Sequence, residues 1–442
     1  MDRFIMLMIF LLKFLSIHQL LLIHCDDNNN GGNNMIDTLI NVLQMNKSLG
    51  ELIDNLPNNL SMDTINDCFE SQLPDDDDMN NSSSTNELNI FDGNMNFGSI
   101  VESYYKTFSQ NSISIESIMN LFNSMRQMID YCRQQQNDNQ TKLAGRNSTN
   151  MNKKNRIRYG FTSLSDKSDT YVRGMLGVLP PPPPPANESQ SSSSSSKRRE
   201  KRLTGNDQQC QPSLRSLPDS FDWRDHQALK NQGQCGSCWT FATAGSIESA
   251  YLIKNRTTNQ QFDLSEQQMV DCASGPRSGC QGGTSYQAFN YVKDNGLTSE
   301  QYEPYRARDS FCFPYFDPVI AEIDNYCLRS RQRYTRSFQT EQLNDDDIQR
   351  ALVAFGPLYT AINADPISTK NYRSGIFNDS SCPEQINHAV LLVGYTPDAW
   401  IIKNSWGKSW GEQHGYFRLA RGFNRCGINT EIAYPLLNNN DK

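Results

Sequence analysis

The residues of this chain best placed to do chemistry lie in Gln232-Gly-Gln-Cys235-Gly-Ser-Cys238-Trp239. Phe241, Ala244, Ile247 and Tyr251 follow at helical spacing with no intervening proline, so the pattern predicts a buried helix carrying Cys238 in its first turn. The N–H groups of a first turn lack intrahelical partners, and the helix dipole favours an anion there. A thiol that ordinarily ionises near about pH 8.5 is expected to become a thiolate near neutral pH in such a place, and the thiolate is the nucleophilic form. Cys235 and Cys238 also form a C-x-x-C pair, as used by redox dithiols or half of a zinc site. A redox motif should follow a strand in a βαβ context, and a zinc site needs a second ligand pair at matching spacing. Neither is present in the pattern, so no metal is expected.

A nucleophile of this kind needs an acid–base partner, and on the residues alone His226, His388 and His414 are all candidates, any of which could equally be structural. His388 opens an apolar run and Asn404 ends the next. Thr396-Pro-Asp-Ala399 between them can turn, so both residues belong to one predicted hairpin.

Composition says where such elements can be built. The chain has 442 residues, enough for about two to three domain-sized units. Hydrophobic residues make up only 37%, and the deficit lies in the Asn-, Ser-, Asp- and Pro-rich first half. The second half can bury a large core. A net charge of −8 argues against nucleic acid as a partner. Residues 4–23, apolar behind Arg3, read as a signal peptide, with a signal anchor as the alternative that Lys13 weakens. No later segment is long and apolar enough to span a membrane, so no stable membrane association is expected once the signal is cleaved. The 12 cysteines and the sequons at Asn46, Asn147, Asn187, Asn255 and Asn378 agree with an oxidising, secretory route. The expected location is extracellular, with an endolysosomal one as second choice.

The expected organisation follows. Residues 1–25 form the signal peptide and 26–96 a low-complexity leader, mostly disordered, with an acidic run at Asp75–Asp78 and short amphipathic pieces such as Ile36–Leu43. In 97–177, Phe97, Ile100, Tyr104 and Phe108, then Ile115, Ile118, Phe122, Met125, Ile129 and Cys132, mark two amphipathic helices. On the residues alone these could be a small independent helical hairpin. Residues 178–202 form a linker: a stiff proline run at Pro180–Pro185, a flexible serine run at Ser191–Ser196, then the basic 197–202. That basic run reads as a solvated patch or as a processing site. Residues 203–442 read as globular.

Over 210–442 the chain resembles the papain-like (C1-type) cysteine peptidases. The resemblance rests on CGSCW (235–239), LSEQQMVDC (264–272), GCQGG (279–283), NHAVLLVGY (387–395), IIKNSWGKSWGE (401–412) and CGINTEIAYP (426–435), in the family's order of Cys, His and Asn. It implies an α+β fold of two lobes, with Cys238 on a helical left lobe, His388 and Asn404 on a β-barrel-like right lobe, and a substrate groove between them. A largely helical prosegment would precede it. The implied function is a secreted cysteine endopeptidase, made as a latent zymogen, that hydrolyses protein or peptide substrates through an acyl-thioester without a cofactor. Cys238 would attack the scissile carbonyl, and His388 would stabilise the thiolate and protonate the leaving amine. Asn404 would hold the imidazole, Trp406 would shield that bond from water, and Gln232 with the Cys238 N–H would form the oxyanion hole. The other histidines of the domain, His226 and His414, lie outside the matching block. Two other classes remain open: a catalytically dead member acting as a binding protein, and an acyl transferase.

The same resemblance implies further residues. Cys235–Cys280, Cys272–Cys312 and Cys382–Cys426 fit the family's bridges. The stretches at 305–327, 248–252 and 270–274 are similar to the group 1 mite allergen proteases, which implies a fourth bridge, Cys210–Cys327, and leaves Cys238 free. That subgroup usually lacks the 382–426 pair and departs from the Gly282-Gly283 kept here. Gly282 and Gly283 would bind substrate. Ala361, Ile386 and Ala389 would line the P2 pocket, with Glu431 at its floor, where a carboxylate could accept an arginine. The alternative for Glu431 is that it turns to solvent or bonds locally. The prosegment, with GFTSLSDKSD at 160–169, would inhibit the enzyme. The pairing of Cys25, Cys68 and Cys132 stays open.

Overall fold

The computed structural model describes Cys68 and residues 97–108, 114–144, 155–180, 209–212, 216–226, 229–258, 262–273, 279–312, 318–330, 343–365 and 369–437. The signal segment, Cys25, the leader other than Cys68, the linker beyond Pro180, the basic run at 197–202 and the sequons at Asn46, Asn147 and Asn187 lie outside the described residues. The chain divides into two compact units: residues 1–150 with 158–167, and residues 151–157 with 168–442.

The first unit is built on helices α1 (Phe97–Phe108) and α2 (Ile115–Ala144). Helix α1 buries Ile100 and Tyr104, as its apolar spacing predicts, and also Tyr105, whereas Phe108 of the same stripe is half-buried. Helix α2 buries Leu121, Ser124, Met125, Met128, Ile129 and Cys132, whereas Phe122, expected on that face, is only half-buried. The difference has a local cause. Residues 158–167 pack on the helices and draw that face toward them: Ser124 Oγ donates to Ser165 O at 2.6 Å, and Tyr104 Oη donates to Thr162 O at 3.0 Å. Tyr131 stacks on Tyr159 with ring centroids 4.9 Å apart. A disulfide joins Cys68 to Cys132, so part of the stretch read as leader is bolted to the helical prosegment.

The second unit begins, among its regular elements, with helix α3 (Asp169–Arg173) and strand β1 (Phe221–Asp222), then helices α4 (Cys238–Lys254), α5 (Glu266–Cys272) and α6 (Ser285–Asn295). Strand β2 (Asn325–Ser330), helix α7 (Asp345–Phe355) and strands β3 (Leu358–Ile362), β4 (Ile376–Phe377), β5 (His388–Tyr395), β6 (Ala399–Lys403), β7 (Tyr416–Ala420) and β8 (Glu431–Leu436) follow. The eight strands form one sheet in the order β2-β8-β3-β5-β6-β7-β4, with β1 added on β5. Only β4 and β7 pair in parallel. Helices early and sheet late give the two lobes that the sequence implied, and no helix among the described residues is long and apolar enough to cross a membrane.

Helix α4 carries the core between the lobes. Of its 17 residues 13 are buried, so it is enclosed on nearly every side rather than along one stripe. Its hydroxyls make this tolerable by bonding to carbonyl groups: Thr243 Oγ1 to Trp239 O at 2.8 Å, Ser246 Oγ to Pro357 O at 2.8 Å, and Ser249 to Gly245 O. Trp239, Ala242, Ala244 and Ile247 then pack with Ala288, Phe289 and Val292 of α6 and with Tyr359, Ala389 and Ala433 of the sheet. Bridges Cys210–Cys327, Cys235–Cys280, Cys272–Cys312 and Cys382–Cys426 are present in this unit, and Cys238 is the only free cysteine among the described residues.

Candidate active site

Helix α4 delivers Cys238 as its first residue, fully buried. Its sulfur accepts the backbone N–H of Ala389 at 3.3 Å, from the start of β5. The residue before Ala389 is His388, also fully buried. Strands β5 and β6 pair antiparallel through Tyr395↔Trp400, the hairpin expected from the Thr396–Ala399 turn, and Asn404 lies one residue beyond β6. His388 Nε2 lies 2.8 Å from Asn404 Oδ1, and that oxygen also accepts the Ser405 N–H at 2.9 Å. An oxygen that accepts here requires Nε2 to carry the hydrogen, so in the neutral ring Nδ1 is the basic nitrogen. Nδ1 is buried without a hydrogen-bond partner. The Trp406 ring lies over His388 with centroids 5.0 Å apart and is itself 1% exposed, and Trp410 backs it at 5.1 Å.

Gln232 reaches the same place from the other side. Its N–H donates to Ser405 O at 2.8 Å and its Oε1 accepts the Ser405 hydroxyl at 2.6 Å. This leaves Nε2 as donor to Cys235 O at 2.7 Å and to Met175 O at 2.8 Å. Ser405 is thus a support of Gln232 that the sequence reading missed, although it sits beside Asn404 in the same motif.

Met175 belongs to a segment that crosses the site. Helix α3 is capped by Ser168, whose Oγ accepts the Tyr171 N–H, and its Asp169 pairs with Lys370 at 3.3 Å. Beyond it the chain runs over Cys238. The Gly177 N–H donates to Sγ at 3.2 Å, and the Gly177 carbonyl accepts the Gly283 N–H at 2.8 Å. The Leu179 N–H donates to Gly283 O at 3.0 Å and the Val178 N–H to Asn387 O at 3.1 Å, so the segment lies parallel to Gly283. Val178 packs against the core cluster that holds Tyr359, Ala389 and Ala433. Val178 and Leu179, read above as the start of the linker, are held in this segment, because Gly283 offers both an N–H and a carbonyl to an extended neighbour. Two glycines make the approach possible. A Cβ on Gly177 would fall 1.7 Å from Gly236 O, and one on Gly283 would fall 2.4 Å from the Trp239 indole.

Burial sets the electrostatics here. Burial pushes the Cys238 thiol up to about 11, outweighing the N–H donors of Ala389 and Gly177 that favour the anion. Burial likewise lowers His388 to about 4, against the raising effect of the Asn404 bond. The thiolate expected near neutral pH is therefore not the state of this covered site, where desolvation favours the neutral thiol and neutral imidazole.

The expected P2 residues lie on β3, β5 and β8 and, for Ile386, two residues before β5. Ala361 faces Ala389 in the β3–β5 register, and both are buried, as are Ile386 and Glu431. Glu431 does not turn to solvent. Its Oε1 accepts the Ser285 hydroxyl at 2.6 Å and its Oε2 accepts that of Ser330 at 3.0 Å. Ser285 could have been noticed two residues after Gly283. Ser330 could not, since it meets Glu431 only through the β2–β8 register.

Residues 217–436 match the family described as papain family cysteine protease. A cathepsin L-like protein of Caenorhabditis elegans is 37% identical over 250 residues, covering 54% of this chain and 70% of the relative. Among solved structures, digestive procathepsin L 3 of the Tenebrio molitor larval midgut superposes with a TM-score of 0.57 at 26% identity, covering 77% of this chain and 99% of that one. A structure concerning the mite allergens Blo t 1 and Der p 1 matches with a TM-score of 0.54, covering 76% of this chain and 98% of that one. At 24% identity it speaks for the shared fold alone.

Proposed function

The chain belongs to the papain family of cysteine proteases, and from that premise we propose a secreted, latent zymogen whose Cys238, His388 and Asn404 cleave peptide bonds through an acyl-thioester. The activity class, a cysteine-type endopeptidase, comes with the family. In the proposed cycle His388 Nδ1 takes the proton of Cys238, and Sγ attacks the scissile carbonyl carbon. Gln232 Nε2 and the Cys238 N–H hold the resulting oxyanion. His388 then gives its proton to the leaving amine, a water attacks the thioester with His388 as base, and the released sulfur recovers a proton. Asn404 keeps the ring oriented throughout, and Trp406 keeps water from their bond.

The observation that carries this reading is the seat of the 175–179 segment. Its Met175 carbonyl occupies the Gln232 donor and its Gly177 N–H occupies the sulfur, which are the two groups a scissile peptide would need. Secretion is supported by the apolar residues 4–23, by the bridges, and by sequons at Asn255 and Asn378, both exposed. An endolysosomal destination is the second choice. The test is labelling by a thiol-directed peptide reagent with mass spectrometry. The full chain should carry no adduct before processing and one adduct, on Cys238, afterwards, with the new N-terminus between Arg202 and Cys210 or just before. Equal labelling of both forms would refute latency.

Specificity is proposed to rest on Glu431. A carboxylate buried in an apolar pocket is costly alone, and a P2 guanidinium would relieve that cost with paired hydrogen bonds. Paired substrates differing only in Phe or Arg at P2 separate the cases. In Glu431→Ala, cleavage after P2 Arg should fall about tenfold or more while P2 Phe is retained. No P2 Arg cleavage by the wild type, or equal losses on both substrates, would sink the assignment.

A further inference from the structure

The loop after α6 brings one side chain under both halves of the site. The ring of Tyr305 packs edge-on against Phe241 of α4 with centroids 4.8 Å apart, and its backbone N–H is held by Glu300 Oε1 at 2.8 Å. Its hydroxyl donates to the Gln232 carbonyl at 2.7 Å. A carbonyl can only accept, so the phenol's one hydrogen is spent there, and the 2.5 Å contact with Ser237 must use the serine's hydrogen.

Ser237 is the N-cap residue of α4. A serine there ordinarily turns its oxygen to the N–H groups of the first turn, yet Ser237 makes no such bond. Ser168, Ser265, Thr284 and Asn344, at the starts of α3, α5, α6 and α7, all do. Of these five helices α4 alone lacks the cap bond, and α4 is the helix whose first residue is Cys238. The N–H groups of Cys238 and Trp239 are thereby left to favour an anionic sulfur.

We propose that Tyr305 is the positioning residue of the oxyanion site, fixing the Gln232 backbone on one side of Cys238 and holding the Ser237 hydroxyl away from the α4 N-terminus on the other. The inference rests on the catalytic reading of Cys238 and Gln232. Without the phenol, the Gln232 backbone loses one of its anchors and keeps those to Ser405, so Nε2 is held less closely at hydrogen-bond distance from the developing oxyanion. Ser237 is then free to rotate and cap the helix, which removes N–H groups from the sulfur.

The experiment uses the full chain after processing. Tyr305→Phe keeps the ring on Phe241 and removes only the oxygen. It is expected to lower kcat about tenfold with KM within about twofold, and to slow alkylation of Cys238 by iodoacetamide about threefold. In Ser237→Ala/Tyr305→Phe the competing cap is gone, so alkylation should recover to near the wild-type rate while kcat stays low. A Tyr305→Phe enzyme with kcat and alkylation both within about twofold of wild type overturns the proposal, as does a rise in KM at unchanged kcat. Failure of the underlying catalytic reading looks different, because the processed wild type would then not be alkylated at Cys238 at all.

Discussion

Alanine at position 238 is expected to lower peptide hydrolysis by at least about 10^4-fold while the domain still folds. The nucleophile has no substitute, since Cys238 is the only free cysteine among the described residues and no other thiol can form the thioester. His388 and Gln232 would remain in place, but they can only assist an attack that no longer occurs. Folding should survive because the side chain is small and bridges nothing. In the unprocessed chain the cost comes from two N–H groups, those of Ala389 and Gly177, which lose their sulfur acceptor in a buried place. Each such loss destabilises by about 1–3 kcal/mol, a drop that thermal melting resolves without abolishing the native state. Turnover at the wild-type rate by this variant would end the case for Cys238.

The second large effect concerns latency. Gly177→Ala is expected to raise the alkylation rate of Cys238 in the unprocessed chain by roughly 100-fold. The added Cβ would meet the Gly236 carbonyl, a backbone group that cannot swing aside, so the segment must lift. Lifting gives up the Met175–Gln232, Gly177–Cys238 and Gly283–Gly177 bonds. At about 1 kcal/mol net for each, the open fraction grows by the factor stated. The direction with pH follows from the covered site. With the thiol pushed up to about 11 and the imidazole down to about 4, the pair is neutral throughout the pH range between. Alkylation of the unprocessed wild type should therefore stay slow until the pH approaches about 11. The variant should react near neutral pH, because water returns to the site and the helix N-terminus again favours the anion. Identical profiles for the two chains would show that the segment does not control the thiol.

Local pattern was enough for the elements that carry the site, while the roles of its residues came from the family resemblance. The spacing of Phe241, Ala244 and Ile247 placed Cys238 at a helix start, and the Thr396–Ala399 turn placed His388 on one strand of a hairpin and Asn404 just past the end of the other. These are readable because each depends on residues within one or two elements: a helix period, a hairpin turn, a first-turn N–H. The two-lobed α+β fold followed from helices early and strands late, together with motif blocks spread over some 200 residues.

The tertiary structure decided what depends on distant partners. Nothing local in the sequence says that Cys68 meets Cys132 or that Glu431 lies between Ser285 and Ser330. Nor does any local signal say that Tyr305 takes the Ser237 hydroxyl or that the covering segment runs on through Leu179. The ionisation state at Cys238 belongs with these. A helix N-terminus stabilises a thiolate only as far as desolvation permits, and Cys238 is buried among elements that meet only in the fold, with Gly177, 61 residues away in the chain, donating to its sulfur. Proximity in sequence fixes which groups an element presents. Which of them lose water, and to which partner, is set by packing between elements that the chain brings together only when folded.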